Sequence, residues 1–518
     1  MRIAIAQINS RVGDLEGNRA RILAAYAYAA ERRAELVVFP ELIVTGYPPL
    51  DLVYDRALVA RVEAINHELA AATARGPAMI FGSLGRADFA RPHSPGLYNL
   101  AVVAEGGHIL ARRAKQILPC YDVFHEPRWF EPGPPTRPVE VAGKRLGILL
   151  CEDLWDEGYA IHPGAELTRA GAEILVCLSA SPYRQGIEQR RLEMAARQSL
   201  PLIYVNAVGG QDELVFDGGS FCHQAGALHQ MEQFDECITI VTPGSCHPLP
   251  VPSWEARTWQ ALKLGLRDFM DKNRLYYAVL GLSGGIDSAL ATCLAAEALG
   301  PERVLAVAMP SRYNDPRSTE SAAELARRLG IKFEVRFLEP LHAAAEASLD
   351  GLLEGTGAEN IQARLRMAIL MAYVNRYGGT LINTSNKTEL SLGYGTLYGD
   401  LAGTLSPLGD LTKPQVYQLA RRTVIPAFIL ERAPSAELRP EQVDPFDYAR
   451  VAPRVEATIA EGRVDPGLER HQLKRRQGPI VLKVSPAAFG SGRLMPVTNG
   501  YRPARLANNA TGESDPAR

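Results

Sequence analysis

Residues 243 to 252, PGSCHPLPVP, carry four prolines in ten positions, and no helix or sheet ladder continues through such a stretch because proline lacks the backbone donor both need. The stretch therefore predicts an interdomain linker at 246–254, with one domain over 1–245 and a second over 255–498. A chain of 518 residues is long enough for two domains, each with its own core. The last residues, 499–518, are polar and poor in apolar anchors, and they read as a mobile tail.

The two sides of the linker differ in rhythm. Before it, short apolar runs follow one another: IAIAQI (3–8), ELVVFPEL (35–42), AMIFGSL (78–84), NLAVVAEGGHILARRAK (99–115), RLGILLCED (145–153), AEILVCLSAS (172–181) and LIYVNAVG (202–209). Their β-branched composition predicts a largely buried sheet, and Glu105-Gly106-Gly107 between two apolar runs predicts a hairpin, hence a mixed sheet. After the linker, strand and helix alternate. A helix over about 255–274 leads to a strand YYAVLGLS and a helix from Asp287 to Leu299. A strand VLAVAMP, a helix over 316–329 and a strand KFEVRFL follow. That alternation predicts a doubly wound parallel sheet, an α/β fold.

The formal charge of -2 gives no reason to expect a nucleic-acid partner. The N-terminal MRIAIAQINSRVGD turns polar after eight residues, and no apolar run reaches the roughly 18 residues of a membrane span, so the expectation is a cytoplasmic, membrane-free enzyme. Seven cysteines at irregular spacing, with no CxxC pair, suggest neither a zinc site nor a disulfide framework.

GLSGGIDSAL (281–290) turns from strand to helix at a glycine pair, which leaves helix N-terminal amides free to face an anion. A P-loop would place a lysine next, whereas this loop has Asp287. An acid beside phosphates suits a bridging Mg2+ and a loop that holds pyrophosphate as a leaving group. The loop resembles that of the N-type ATP pyrophosphatases. Together with ENIQARLRM (359–367), NTSNKTELSLGYGTLYGD (383–400) and SPLGDLTKPQVYQLA (406–420), it makes residues 255–498 resemble the synthetase domain of the NAD synthetases.

That resemblance implies an adenine nucleotide α-hydrolase-like fold and ATP as co-substrate at Gly281, Leu282, Ser283, Gly284, Gly285, Ile286, Asp287, Ser288, Thr384, Lys413 and Ser435. It implies Mg2+ on Asp287 and Glu389, and deamido-NAD at Asn360, Arg364 and Lys474. Ordinary chemistry supports those residue types, since paired carboxylates suit a hard cation and a lysine stabilises developing phosphate charge.

In the first half, Glu41 and Cys151 each follow an apolar strand, and Lys115 follows the predicted hairpin. A base, a cation and a nucleophile are what acyl transfer through a thiol requires. In the settings VFPELIVTGY, RRAKQILPCYDVFHEPRWF and LGILLCEDLW, they resemble the carbon-nitrogen hydrolases, specifically the glutaminase domain of the glutamine-dependent NAD synthetases. The resemblance implies an α-β-β-α sandwich, with Glu41 as general base, Lys115 as oxyanion stabiliser and Cys151 as the nucleophile that forms a glutamyl thioester. L-glutamine is then bound at Tyr121 and Ser181.

Six positions past the serine of SPY the family carries a basic residue, where this chain has Ile187; Arg184, Arg190 or Arg191 takes over, or the site differs. Glu126 reads either as a second acid assisting the cysteine or as a surface acid.

Both halves together imply ammonia passed through a channel, and a homo-oligomer, commonly an octamer. Two rivals stand beside this reading. Another amidotransferase with the same loop would carry a different glutaminase module, and an N-terminal cysteine nucleophile is excluded by Arg2. A regulatory protein with a degenerate hydrolase half is made conceivable by Ile187.

Overall fold

The structure, a computed structural model, describes residues 1–440, 442–461, 474 and 494–502. The chain divides into two compact units, the first comprising Met1–Val251 with the residues from Gly492 onward, the second Pro252–Ser491.

Two six-stranded sheets build the first unit. One runs in the order Cys237–Val241, Ile3–Gln7, Leu36–Val38, Ala78–Arg86, Leu97–Glu105, His108–Ala114, and the other Ala227–Gln230, Phe221–Gln224, Leu202–Asn206, Ile174–Ser179, Lys144–Leu150, Val139–Val141. Each has three parallel strands at its centre and antiparallel strands outside, so the expected mixed sheet is present twice. The predicted hairpin pairs Glu105 with His108 across Gly106-Gly107.

Ile3, Ile5, Leu36, Val38 and Ile80 of one sheet share a core with Leu146, Ile148, Val176 and Ile203 of the other, so the sheets pack face to face. Helices Leu15–Glu31 and Arg56–Ala72 cover the outer face of the first, and Pro163–Arg169 and Ile187–Ala196 that of the second. The result is an α-β-β-α sandwich.

Two strands differ from expectation. ELVVFPEL yields only Leu36–Val38, because Pro40 ends the ladder and frees Glu41 to turn. LIYVNAVG is not one strand: Leu202–Asn206 belongs to the second sheet, and after a break at Ala207 the strand Val208–Gln211 pairs instead with Leu214–Asp217.

Four parallel strands form the sheet of the second unit, in the order Lys332–Val335, Val304–Ala308, Ala278–Gly281, Thr380–Leu381. Helices Trp254–Lys272, Ile286–Leu299 and Pro316–Leu329 share a core with one face, and Thr356–Tyr377 packs on the other, the doubly wound arrangement expected. The strand order reverses between Ala278–Gly281 and Thr380–Leu381, and at such a switch point the carboxyl ends of the strands leave a crevice.

The expected boundaries shift at both ends. The proline-rich stretch begins as an edge of the first unit, since the His247 N–H donates to Leu228 O and His247 O accepts from Gln230 N–H. Residues 494–498, expected in the second domain, lie in the first unit. The tail expected to be mobile from Asn499 is anchored as far as Tyr501, where the Gly500 N–H donates to Val12 O and the Tyr501 hydroxyl bonds the Asp55 carboxylate. Residues 503–518 of that expected tail lie outside the described residues. Among the described residues no helix is long and apolar enough to cross a membrane.

Candidate functional site

Glu41, Lys115 and Cys151 are each set just beyond a strand of the sandwich. Gly82 lets its strand pass against the Glu41 turn, since a Cβ there would lie 2.3 Å from Leu42 N and 2.4 Å from Pro40 O. Cys151 follows Lys144–Leu150 with φ 40°, a conformation few non-glycine residues adopt, and opens a short helical turn through Leu154.

All three side chains are buried. Lys115 Nζ donates to Glu41 Oε1 at 2.8 Å and to Glu126 Oε1 at 2.8 Å. Asn99 Nδ2 and the Ala180 N–H donate to the two oxygens of Glu41, at 2.7 and 3.0 Å. Tyr47 OH donates to Glu126 at 2.9 Å. Glu126 is therefore a buried partner of Lys115, not a surface acid. Because Leu150 lies opposite Leu178 in the parallel ladder, the next residue on each strand meets its counterpart, and Ser179 Oγ donates to Cys151 Sγ at 3.3 Å.

Burial and the Glu41 charge push the Cys151 thiol up, while Lys115 pulls it down less strongly. Burial works against the Lys115 charge, but Glu126 and Glu41 outweigh it and hold its pKa well above the ordinary lysine value. Burial lifts Glu126 to about 7 against the pull of Lys115. Behind the turn, Asp153 accepts from the amides of Gln116, Ile117 and Leu150, which ties the Lys115 segment to the Cys151 turn. A neutral thiol beside a hydrogen-bonded carboxylate and ammonium can be deprotonated as it attacks a carbonyl.

Tyr121 and Ser181 occupy different settings. Tyr121 is half exposed and its hydroxyl, like that of Tyr159, donates to Glu152. Ser181 is buried, its amide donates to Asn206 Oδ1, and Arg191 donates to its carbonyl at 2.8 Å and its hydroxyl at 3.2 Å. Of the three arginines considered for the Ile187 position, Arg191 alone is buried there, one helical turn on from Ile187; both its bonds to Asp217 measure 2.9 Å. Arg190 bonds Glu157 and Glu193, and Arg184 is exposed.

In the second unit the glycine loop lies at the switch point. Gly284 has φ 83°, and a Cβ there would meet Ser318 O at 2.4 Å, so only glycine fits. Gly281, Leu282, Ser283, Gly285 and Ser288 line a cavity of about 250 Å³ whose inner wall is apolar, from Val307, Met309 and Leu370. An adjoining cavity of about 310 Å³ is lined by Ile286, Asp287, Glu389, Lys413, Asn360 and Lys474. Ser283, Gly285, Ser288, Thr384 and Ser435 border both.

Asp287 and Glu389 converge on one ammonium: Lys413 Nζ lies 2.5 Å from Asp287 Oδ2 and 3.2 Å from Glu389 Oε1. Asn386 caps the helix Lys387–Leu392 through the Glu389 amide and donates to Asp287 Oδ1 at 2.8 Å. Burial lifts Glu389 to about 8, Asp287 adds to the rise, and Lys413 opposes it. Among the described residues no three His, Cys, Asp or Glu side chains are grouped to hold a metal. Two carboxylates facing one point do suit Mg2+, which takes few protein ligands and keeps phosphate and water oxygens for the rest.

Asn360 accepts from Thr396 Oγ1 at 2.7 Å, and Lys474 Nζ donates to the carbonyls of Gly393 and Gly395. Ser435 spends its hydroxyl on Gln442 O. Arg364 is exposed, donates to Leu397 O and lines neither cavity, so the structure does not bring it to the others.

A family model described as carbon-nitrogen hydrolase matches residues 2–226, and one described as NAD synthase matches residues 258–449. The glutamine-dependent NAD(+) synthetase of Synechocystis sp. is 36% identical, over 97% of this chain and 99% of its own. The chain belongs to the glutamine-dependent NAD(+) synthetase family. The Rhodobacter capsulatus member is 39% identical over 97% of this chain and 99% of its own. The glutamine-dependent NAD+ synthetase from Acinetobacter baumannii, solved in complex with ADP, superposes with a TM-score of 0.82 at 32% identity, covering 97% of this chain and 99% of that one. The Cytophaga hutchinsonii structure, at 23% identity and TM-score 0.76, shares the fold.

For a member of this family, the sequence reading missed several residues. Ser179 is found only through the strand register. Asn386 was legible, since an Asn three residues before Glu389 is a capping-box pattern. Arg432, which borders both cavities and donates to Ser318 Oγ and Glu437, carried no local signal.

Proposed function

We propose that the two centres divide the family's reaction, with ammonia made at Cys151 and consumed at the glycine loop. The supporting observation is that Glu41 and Glu126 share Lys115 within the first unit while Asp287 and Glu389 share Lys413 within the second.

At the first centre Glu41 takes the thiol proton as Cys151 Sγ attacks the side-chain amide of L-glutamine. Lys115 lies against the charge that develops on the carbonyl oxygen. Collapse of the tetrahedral species passes a proton to the departing nitrogen, releasing ammonia and leaving a glutamyl thioester. Water activated by Glu41 then frees glutamate. Tyr121 and Ser181 hold the glutamine, and Arg191 orders the Ser181 backbone in place of a cation at Ile187.

At the second centre the loop amides of residues 283–288 face the ATP phosphates, with Thr384 and Ser435 at the border. The nicotinate carboxylate of deamido-NAD attacks the α-phosphorus, pyrophosphate leaves, and ammonia displaces AMP from the adenylate to give NAD. Mg2+ held by Asp287 and Glu389 would supply neutralisation of the approaching anions. Lys413, released from those carboxylates, stabilises charge on the phosphates. Asn360 and Lys474 take the deamido-NAD side, and Arg364 reaches it only if its side chain moves.

Purified protein given glutamine, ATP, MgCl2 and deamido-NAD should form NAD, AMP and glutamate. Cys151→Ala should lose glutamine-driven synthesis and keep ammonium-driven synthesis; loss of both would overturn the two-centre reading. A homo-oligomer, an octamer by family resemblance, belongs to the proposal and is measured by sedimentation.

A further inference from the structure

The described residues 494–502 follow the second unit in sequence but belong to the first, and one of their contacts leads to Lys115. The Leu494 N–H donates to Asp51 Oδ2 at 2.8 Å, and Leu494 O accepts from the Asp51 N–H at 2.9 Å. The Asp51 carboxylate, almost fully buried, also accepts from Arg128 Nε and Nη2, each at 3.0 Å, and from Trp129 Nε1 at 2.8 Å. Those two residues close the turn that Glu126 opens, and the Trp129 and Phe130 amides both donate to Glu126 O at 2.9 Å. The carboxylate of Glu126 in turn meets Lys115 Nζ.

Further anchors keep the segment in register. The Val497 and Thr498 amides donate to Asp212 at 2.9 and 2.6 Å, and Gln211 Nε2 donates to Thr498 O at 2.6 Å. A carboxylate that accepts from four donors on two separate segments fixes the distance between them, because losing any one donor leaves a buried oxygen short of partners.

We propose that residues 494–502 act as a positioning strap for the thiol centre, holding Asp51 against the Glu126 turn and so fixing the place of Lys115. Glutamine hydrolysis thereby depends on chain encoded after the second unit, while the glycine-loop chemistry does not. The inference rests on the assignment of glutamine hydrolysis to Cys151; failure of that assignment would show separately, as hydrolysis surviving Cys151→Ala.

Two variants test the strap: the full chain carrying Leu494→Pro, which removes one N–H, and a chain ending at Ser491. In both, kcat for glutamine hydrolysis should fall, by about 10²-fold if Lys115 moves by 1 Å, with KM changed less than about threefold. The pH profile of Cys151 alkylation by iodoacetamide should move to higher pH, because the thiol loses the cation that lowers its pKa. Ammonium-driven NAD synthesis should be retained, which shows that the second unit has folded, and an unchanged far-UV circular dichroism spectrum should show that the first has; a lost spectrum with lost hydrolysis would make the segment a folding element and overturn the strap. Unchanged hydrolysis and alkylation would overturn the strap, as would parallel loss of both activities or a rise in KM without a fall in kcat.

Discussion

A single buried carboxylate shows how far burial dominates this protein's chemistry. Glu126, lifted to about 7 from an ordinary 4.5, binds its proton more tightly in the native chain than in the unfolded one. Its contribution to stability is complete below about pH 4.5 and is lost as pH rises toward 7. Glu126→Gln should therefore flatten that part of the stability profile, read as a smaller difference between urea midpoints at pH 5 and pH 7.5; an unchanged difference would show that Glu126 does not set it. At the other centre Lys413 is the only ammonium that the Asp287 and Glu389 carboxylates share among the described residues. Lys413→Ala should slow pyrophosphate exchange by about 10²-fold or more, the scale seen when one charge-stabilising donor is removed, and leave glutamine hydrolysis in place. The sequence placed Lys413 at one site with Asp287 and Glu389 and left Glu126 between two readings, and only the fold supplied the ion pairs themselves.

Short elements, more than long ones, set the reacting groups. The turn Cys151–Leu154 is held by Asp153, whose carboxylate accepts three amides from two segments and is pushed up to about 7 by burial. Asp153→Asn puts an amide donor against those N–H groups, so it should destabilise the first unit by about 1–3 kcal/mol in denaturant unfolding and slow glutamine hydrolysis. The glycine loop has the same economy. Gly284→Ala must accommodate a Cβ against Ser318 O in a left-handed conformation that costs about 1–2 kcal/mol by itself. ATP binding measured by calorimetry should weaken, with thiol alkylation at Cys151 unaffected.

Across the whole molecule, coupling of the centres predicts that glutamate and NAD form in equal amounts when all substrates are present, and excess glutamate would show leakage between them. Much of this was legible in the chain. Strand–helix alternation and the glycine pair determine the doubly wound sheet and where its crevice opens, because both are local patterns of period and turn. Glu41, Lys115 and Cys151 announce themselves at strand ends for the same reason. What tertiary structure decided was pairing: Ser179 beside Cys151, Glu126 beneath Lys115, Arg191 against the Ser181 carbonyl, and Arg364 outside the cavities. It also decided that the chain is anchored as far as Tyr501, although composition read the residues from Asn499 onward as a mobile tail. Sequence spacing fixes which side chains share a strand end or a helix turn, but contacts between segments hundreds of residues apart depend on register and burial, which only the folded chain sets.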